Sequence, residues 1–177
     1  MLRPDQARPI SDRSAARVVK ILLESPELDV TWSHFGPHEA GADLHVHHEH
    51  DDGFYVLEGE LTFSVGVDGF RLTCGPGTLV VVPVGVVHGF DNASDADAVW
   101  LNFHAPSTGF AAYLRGERET FDSHQPPADG GLPESLVVVR KGDVRVETER
   151  LSVRVQGKPD EQSFALGDGR FVNVRAR

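Results

Sequence analysis

An all-β sandwich or barrel with one short helix and extra C-terminal strands is the fold this sequence predicts. Three observations carry that expectation. Runs rich in β-branched and aromatic residues recur about ten residues apart. Gly and Pro stand between the runs, and within several of them apolar and polar positions alternate.

The elements follow in chain order. Ala15 to Leu23 has the pattern of an amphipathic helix capped by Ser11 or Asp12, but its centre, Val18 to Leu23, favours a strand. Asp29 to Phe35 reads as a strand closed by Gly36 and Pro37. Phe54 to Leu57 and Leu61 to Val65 flank the turn residues Glu58, Gly59 and Glu60. In the second of these runs Leu61, Phe63 and Val65 share a face. Asp68-Gly69 is a hairpin signal, because Gly accepts the positive φ of a tight turn. Thr78 to Val82 and Ala98 to Phe103 are further strands, and Phe110 to Leu114 is the helix candidate. Ser123 to Gly131 is a loop by composition. Leu136 to Arg140, Val144 to Glu147, Leu151 to Val155 and Phe171 to Val174 read as strands that extend the sheets or form a small appendage. The expected organisation is an N-terminal extension over residues 1–28, a core over 29–105, and a helix, loop and β extension over 106–177.

The chain has 177 residues and a net charge of −10. That length suits one domain, which can bury roughly 70% of its unfolded surface. A strongly acidic balance argues against nucleic acid, whose phosphates need clustered Lys and Arg. No apolar run approaches the ~18 residues of a membrane helix, and none follows the N-terminus as a signal-peptide core would. The single cysteine, Cys74, cannot bridge within the chain and fits a reducing compartment. The expectation is a cytoplasmic, soluble protein.

Histidine is the unusual residue: there are nine, four of them between His45 and His50. In a strand, His45 and His47 project to the same side about 7 Å apart. Rings so placed can reach one ion at ~2.0–2.1 Å each. Asp52, Asp51 and Glu49 are available as a carboxylate ligand, and a further ligand has to come from elsewhere in the chain.

Here the sequence resembles the cupin superfamily. One family motif is Gly, five residues, Pro-x-Gly, two residues, His, three residues, Asn; Gly77, Pro83, Gly85, His88 and Asn92 match it throughout. The other is Gly, five residues, His-x-His, three or four residues, Glu, six residues, Gly. His45, His47, Asp52 and Gly59 match it with two departures: Asp52 replaces Glu, and Glu39 stands where Gly is usual, with Gly41 displaced towards the motif. The resemblance covers residues 29 to 104 and hardly touches the tail.

It implies a double-stranded β-helix (jelly-roll) barrel in which His45, His47, His88 and Asp52 bind one divalent transition metal ion: Fe, Mn, Ni, Co or Zn. Asp reaches about 1.5 Å less than Glu, so Glu49 or His50 stand as substitutes for Asp52. Otherwise His48, Glu49, His50 and Asp51 read as a solvated loop, and Cys74 as an ordinary core or turn residue. Trp32 and His34 share one strand face; Trp100, Asn102 and His104 share another. Either set would meet substrate or brace the ligands if its face points inward.

A small single-domain cupin resembling the quercetinase-like group implies a dioxygenase acting on a small enolisable or phenolic substrate, with Asp52 accepting the substrate proton. A non-redox binding or sensing module is a second expectation. A sugar isomerase or epimerase is a third, disfavoured because the expected inner strands offer few basic residues beyond Arg71, and Arg115 lies outside them. Open strand edges imply a homodimer, with Arg17 to Leu23 a candidate for exchange between subunits.

Overall fold

The computed structural model describes Ala7 and residues 16–133, 137–147, 152–156, 162–165 and 171–174. β1 (Arg17–Ser25), β2 (Leu28–Phe35), β9 (Ala98–Ala105), β4 (Asp51–Glu58), β7 (Thr78–Val82) and β10 (Val138–Lys141) form a six-stranded antiparallel sheet in that spatial order. β3 (Ala40–His45), β8 (His88–Asp91), β5 (Leu61–Val65) and β6 (Phe70–Cys74) form a four-stranded sheet. The strands alternate between the two sheets as a jelly roll requires: β4 and β5 are consecutive in sequence yet lie in different sheets. The Ala15–Leu23 ambiguity resolves as a strand, which pairs with β2 of its own chain from Arg17 opposite Phe35 to Ser25 opposite Leu28. Its proposed caps, Ser11 and Asp12, lie outside the described residues.

Asp68-Gly69 does close the β5–β6 hairpin, and α1 spans Phe110–Leu114 as expected. In the tail, β10 extends the large sheet along β7, while β11 (Asp143–Glu147) pairs with β12 (Ser152–Gln156) and β13 (Gln162–Ala165) with β14 (Phe171–Val174). β3, β6, β8 and β13 had no sequence signal strong enough to place them.

Between the sheets, Phe54 packs edge-on against Phe63 at 4.9 Å and Phe35 against Trp100 at 4.7 Å, all four fully or nearly fully buried. Each such side chain contributes roughly 1.5–3 kcal/mol through removal from water. The outer face of the large sheet carries a second apolar cluster around Leu22, Leu28 and Val30. Two motif residues are structural. The Asn92 amide donates to the carbonyls of Phe35, Gly36 and Ala96 at 3.2, 2.7 and 2.7 Å, tying the end of β2 to the turn after β8. Gly41 faces β8 so closely that a Cβ there would lie 2.1 Å from the Phe90 carbonyl. The glycine displaced from its usual motif position is therefore the one that lets β3 approach β8, in a ladder that slips on either side of Ala42.

Candidate metal centre

His45 ends β3, His88 begins β8 and sits opposite it in register, and Asp52 lies on β4 in the other sheet. His47 follows the bridge that Val46 makes to His124, so it projects from a loop rather than a strand. One ligand atom from each of His45, His47, Asp52 and His88 falls within 4.8 Å of all the others. His45 Nε2 and His47 Nε2 are 3.2 Å apart, and Asp52 Oδ2 stands 3.4 Å from His88 Nε2 and 3.6 Å from His47 Nε2.

The far side of each ring is anchored on backbone. His45 Nδ1 donates to the Asp43 carbonyl at 2.7 Å, His88 Nδ1 to the Val86 carbonyl at 3.1 Å, and His47 Nδ1 to the Asp122 carbonyl. A neutral ring that donates through Nδ1 has a bare lone pair on Nε2. All three lone pairs thus point at one another and at Asp52, an arrangement suited to a cation. Burial, then His88 and His47, push His45 down to about 4, so a proton does not fill that role at neutral pH. Burial opposes ionisation of Asp52, but His104, His47 and His88 outweigh it and hold the carboxyl well below the usual range.

The inward residues of β9 support this cluster. Asn102 donates through Nδ2 to Asp52 Oδ1 and to the Gly53 carbonyl, and its Oδ1 accepts from His104 Nε2 at 2.9 Å. Burial drives His104 down to about 3. A cavity of about 580 Å³ opens in front of the cluster, with Trp100, Asn102 and His104 on its wall.

Trp32 and His34 do not reach it. They face the outside of the large sheet, where Lys20 Nζ lies 5.0 Å above the Trp32 ring and His34 pairs with Asp97 at 2.9 Å. The pairing of β2 with β9 is the reason: Thr31 sits opposite Asn102 and Ser33 opposite Trp100, so β2 turns Thr31, Ser33 and Phe35 inward.

Two further expectations are corrected. His50 and Asp51 are not part of a solvated loop; both are buried, while His48 and Glu49 are exposed. Arg71 is no cavity residue either, since it pairs with Asp91 at 3.1 Å on the surface; the arginines lining the cavity are Arg17 and Arg118.

The residue that organises the histidine-rich turn is Asp122, which sequence reasoning missed. Its carboxylate accepts the backbone N–H groups of His48 at 2.9 Å and Glu49 at 2.7 Å, His50 Nδ1 at 2.9 Å and His124 Nε2 at 3.0 Å. Burial resists its ionisation, but the His48 and Glu49 N–H groups and His50 prevail and hold it at about 2. Its own carbonyl orients His47. No local pattern around Asp122 marks it, for its partners lie more than seventy residues earlier.

A jelly roll with three backbone-anchored imidazoles and one carboxylate converging at its cavity defines the class of protein: a double-stranded β-helix protein with a histidine–carboxylate cluster. Residues 31–104 match the profile of the Cupin domain, and this chain is a cupin. It is 30% identical over 105 residues to an acireductone dioxygenase of Gluconobacter oxydans (strain 621H), a match covering 58% of this chain and 52% of that protein. The chain thus spans about half the length of the curated relatives it matches. Among solved structures, KdgF from Halomonas sp. superposes with a TM-score of 0.54 at 22% identity, covering 63% of this chain and 98% of that one. A conserved double-stranded β-helix protein from Klebsiella pneumoniae superposes with a TM-score of 0.51 at 24% identity, covering 60% of this chain and 84% of that one. Both likenesses concern the fold.

Proposed function

We propose that His45, His47, His88 and Asp52 hold one divalent transition metal ion, and that the protein is a dioxygenase acting on a small enolisable or phenolic substrate. The observation that carries this reading is the 3.2 Å approach of His45 Nε2 to His47 Nε2 while both rings donate through Nδ1. Two lone pairs at that distance repel, and a cation between them turns the repulsion into ligation. The partial similarity to acireductone dioxygenases supports the reaction class. Their named substrate is an enediol conjugated to a carbonyl, the kind of chelating oxygen pair such a site would take.

A bound ion supplies Lewis acidity and, if redox-active, a path for electrons from substrate to dioxygen. The protein does the rest. Asp52 is the nearest group to take the proton of a substrate hydroxyl, and Asn102 holds its Oδ1 so that Oδ2 faces the histidines. His104, stacked on Phe110 at 4.0 Å, and Phe121, 4.9 Å from Phe110, form a planar apolar wall that would pack a conjugated substrate and exclude water.

Metal analysis of the purified protein, with oxygen uptake on flavonols and acyclic enediols, tests the reading. One metal per chain is expected, falling to none in His88→Ala. Full occupancy with no uptake across the panel would remove the dioxygenase.

One observation favours a second reading, non-redox ligand capture. A carboxyl held as low as that of Asp52 is a weak base, and a binding site needs none. Zinc as the native ion, with tight binding of unreacted enediols, would select it.

We also infer a cytosolic homodimer. The buried lone thiol of Cys74 and the open edge of β1 support it. Among the described residues, no helix is long and apolar enough to cross a membrane. A chain truncated at Pro26 that still elutes as an unchanged dimer would exclude strand exchange through β1.

A further inference from the structure

The cavity has a second chemical end. Arg17 and Arg118 line it together with the histidine cluster, although the protein as a whole carries a net charge of −10. Arg17 lies on the Phe35 ring, its Cζ 4.6 Å from the centroid. Arg118 differs from the surface arginines in its partners. Arg71 is paired with Asp91 at 3.1 Å, and Arg115 with Glu24 and Glu117 at 2.7 and 2.8 Å. Arg118 donates Nη1 to the Thr108 carbonyl at 3.0 Å and has no carboxylate partner among the described residues. Its seat is built for it. Gly109, with φ at +89°, has no side chain, and a Cβ there would come within 2.0 Å of Arg118 Nη1. The backbone at Thr108–Gly109 therefore fixes one nitrogen of the guanidinium, and the others are left to serve a ligand. On the same cavity wall, Thr31 Oγ1 is buried with no hydrogen-bond partner among the described residues.

The geometry points to a substrate that carries a carboxylate or similar anionic group, bound by Arg118 at the cavity rim while its enol or phenol oxygens face His45, His47, His88 and Asp52. This rests on the metal-centred reading above for one end of the ligand, and on Arg118 alone for the other. An uncompensated guanidinium in an acidic protein raises the local concentration of anions that the remaining surface repels. A fork of donors then fixes the orientation of a planar carboxylate. Thr31 offers a hydroxyl to a polar substituent between the two ends. The preferred ligand class is thus a small, planar, anionic enol or phenol, rather than a neutral one.

Three probes separate the ends: catechol carries only the chelating pair, benzoate only the carboxylate, and 3,4-dihydroxybenzoate both. Calorimetric titration of the full-length, zinc-loaded protein should give 3,4-dihydroxybenzoate about tenfold tighter binding than catechol, equivalent to ~1.4 kcal/mol. Arg118→Gln should bring the two within about twofold, while Arg118→Lys, which keeps the charge, should retain part of the preference. Metal stoichiometry and catechol affinity should not change in either variant. Equal affinities in the wild type, or a preference that survives Arg118→Gln, overturns the anion site. Benzoate and EDTA-treated protein tell the two readings apart. Arg118-dependent benzoate binding to stripped protein, with catechol silent on loaded protein, keeps the anion site and removes the metal centre. Catechol binding that needs the metal, with no Arg118-dependent preference for the carboxylate, does the reverse.

Discussion

Two histidine–aspartate pairs in this protein have the same chemistry and the same 2.9 Å separation, yet sit in opposite settings. His34 and Asp97 meet on the outer face of the large sheet with their side chains 27% and 59% exposed; His50 and Asp122 meet beside the cavity at 0% and 3%. The outer pair touches solvent, and water competes for every hydrogen bond it makes. In the inner pair, Asp122 also binds two backbone N–H groups and a second imidazole, and its carbonyl orients a histidine of the cluster. Distance alone therefore says little about what a charged contact contributes. Desolvation and connectivity decide it.

Breaking the inner pair should have the largest effect. Asp122→Asn leaves an amide facing N–H donors that it cannot all satisfy, and should destabilise the fold by about 3 kcal/mol. Metal affinity should fall roughly 10–100-fold, as when a group that orients a ligand is removed. Denaturant melts and metal titration measure both, and an unaltered metal affinity would show that Asp122 does not position His47.

Acid should act next, again through the inner region. Burial, then His47, hold His50 at about 4, and burial holds His104 at about 3, against an ordinary 6.5. The unfolded chain binds these protons first. Stability of metal-free protein should therefore fall as pH drops from 6.5 to about 4 for His50 and on to about 3 for His104. The stability that Asp122 contributes is present above its ordinary 3.8 and fades only as pH falls through about 2. A melting temperature flat between pH 7 and 4 in EDTA-treated protein would contradict this account.

A smaller effect of opposite sign is expected at the cavity wall. Thr31→Val removes a buried hydroxyl with no partner among the described residues and keeps the shape, so it should be neutral or stabilise by up to about 1 kcal/mol. If the hydroxyl serves a ligand, affinity for that ligand falls at the same time.

The outer pair should barely register. His34→Gln should change stability by less than about 0.5 kcal/mol, as exposed ion pairs usually do. A loss of metal or of ligand binding in that variant would mean that the two faces of the sheet are not independent.

Sequence and structure agree best where a local pattern suffices. The strands at β2, β4, β5, β7 and β9 were legible because side-chain alternation and turn residues are written over five to eight consecutive positions. β3 and β8 were not, being short, interrupted by Gly41 and Gly89 and rich in polar residues, although they carry His45 and His88. The motif found those histidines without finding their strands.

The spacing of His45, His47, Asp52 and His88 determined by itself which side chains could converge, because turn glycines and strand period are local properties. Which face of each strand looks inward was decided by pairing. Trp32 and His34 lost their place to Thr31 and Ser33 because Asn102 and Trp100 stand opposite the latter. Likewise His50 is buried and Arg118 is aimed at the cavity because Asp122 and Gly109 meet them only after the chain has folded back. A periodicity fixes what can share a face; desolvation, which depends on everything packed above that face, fixes what it does there.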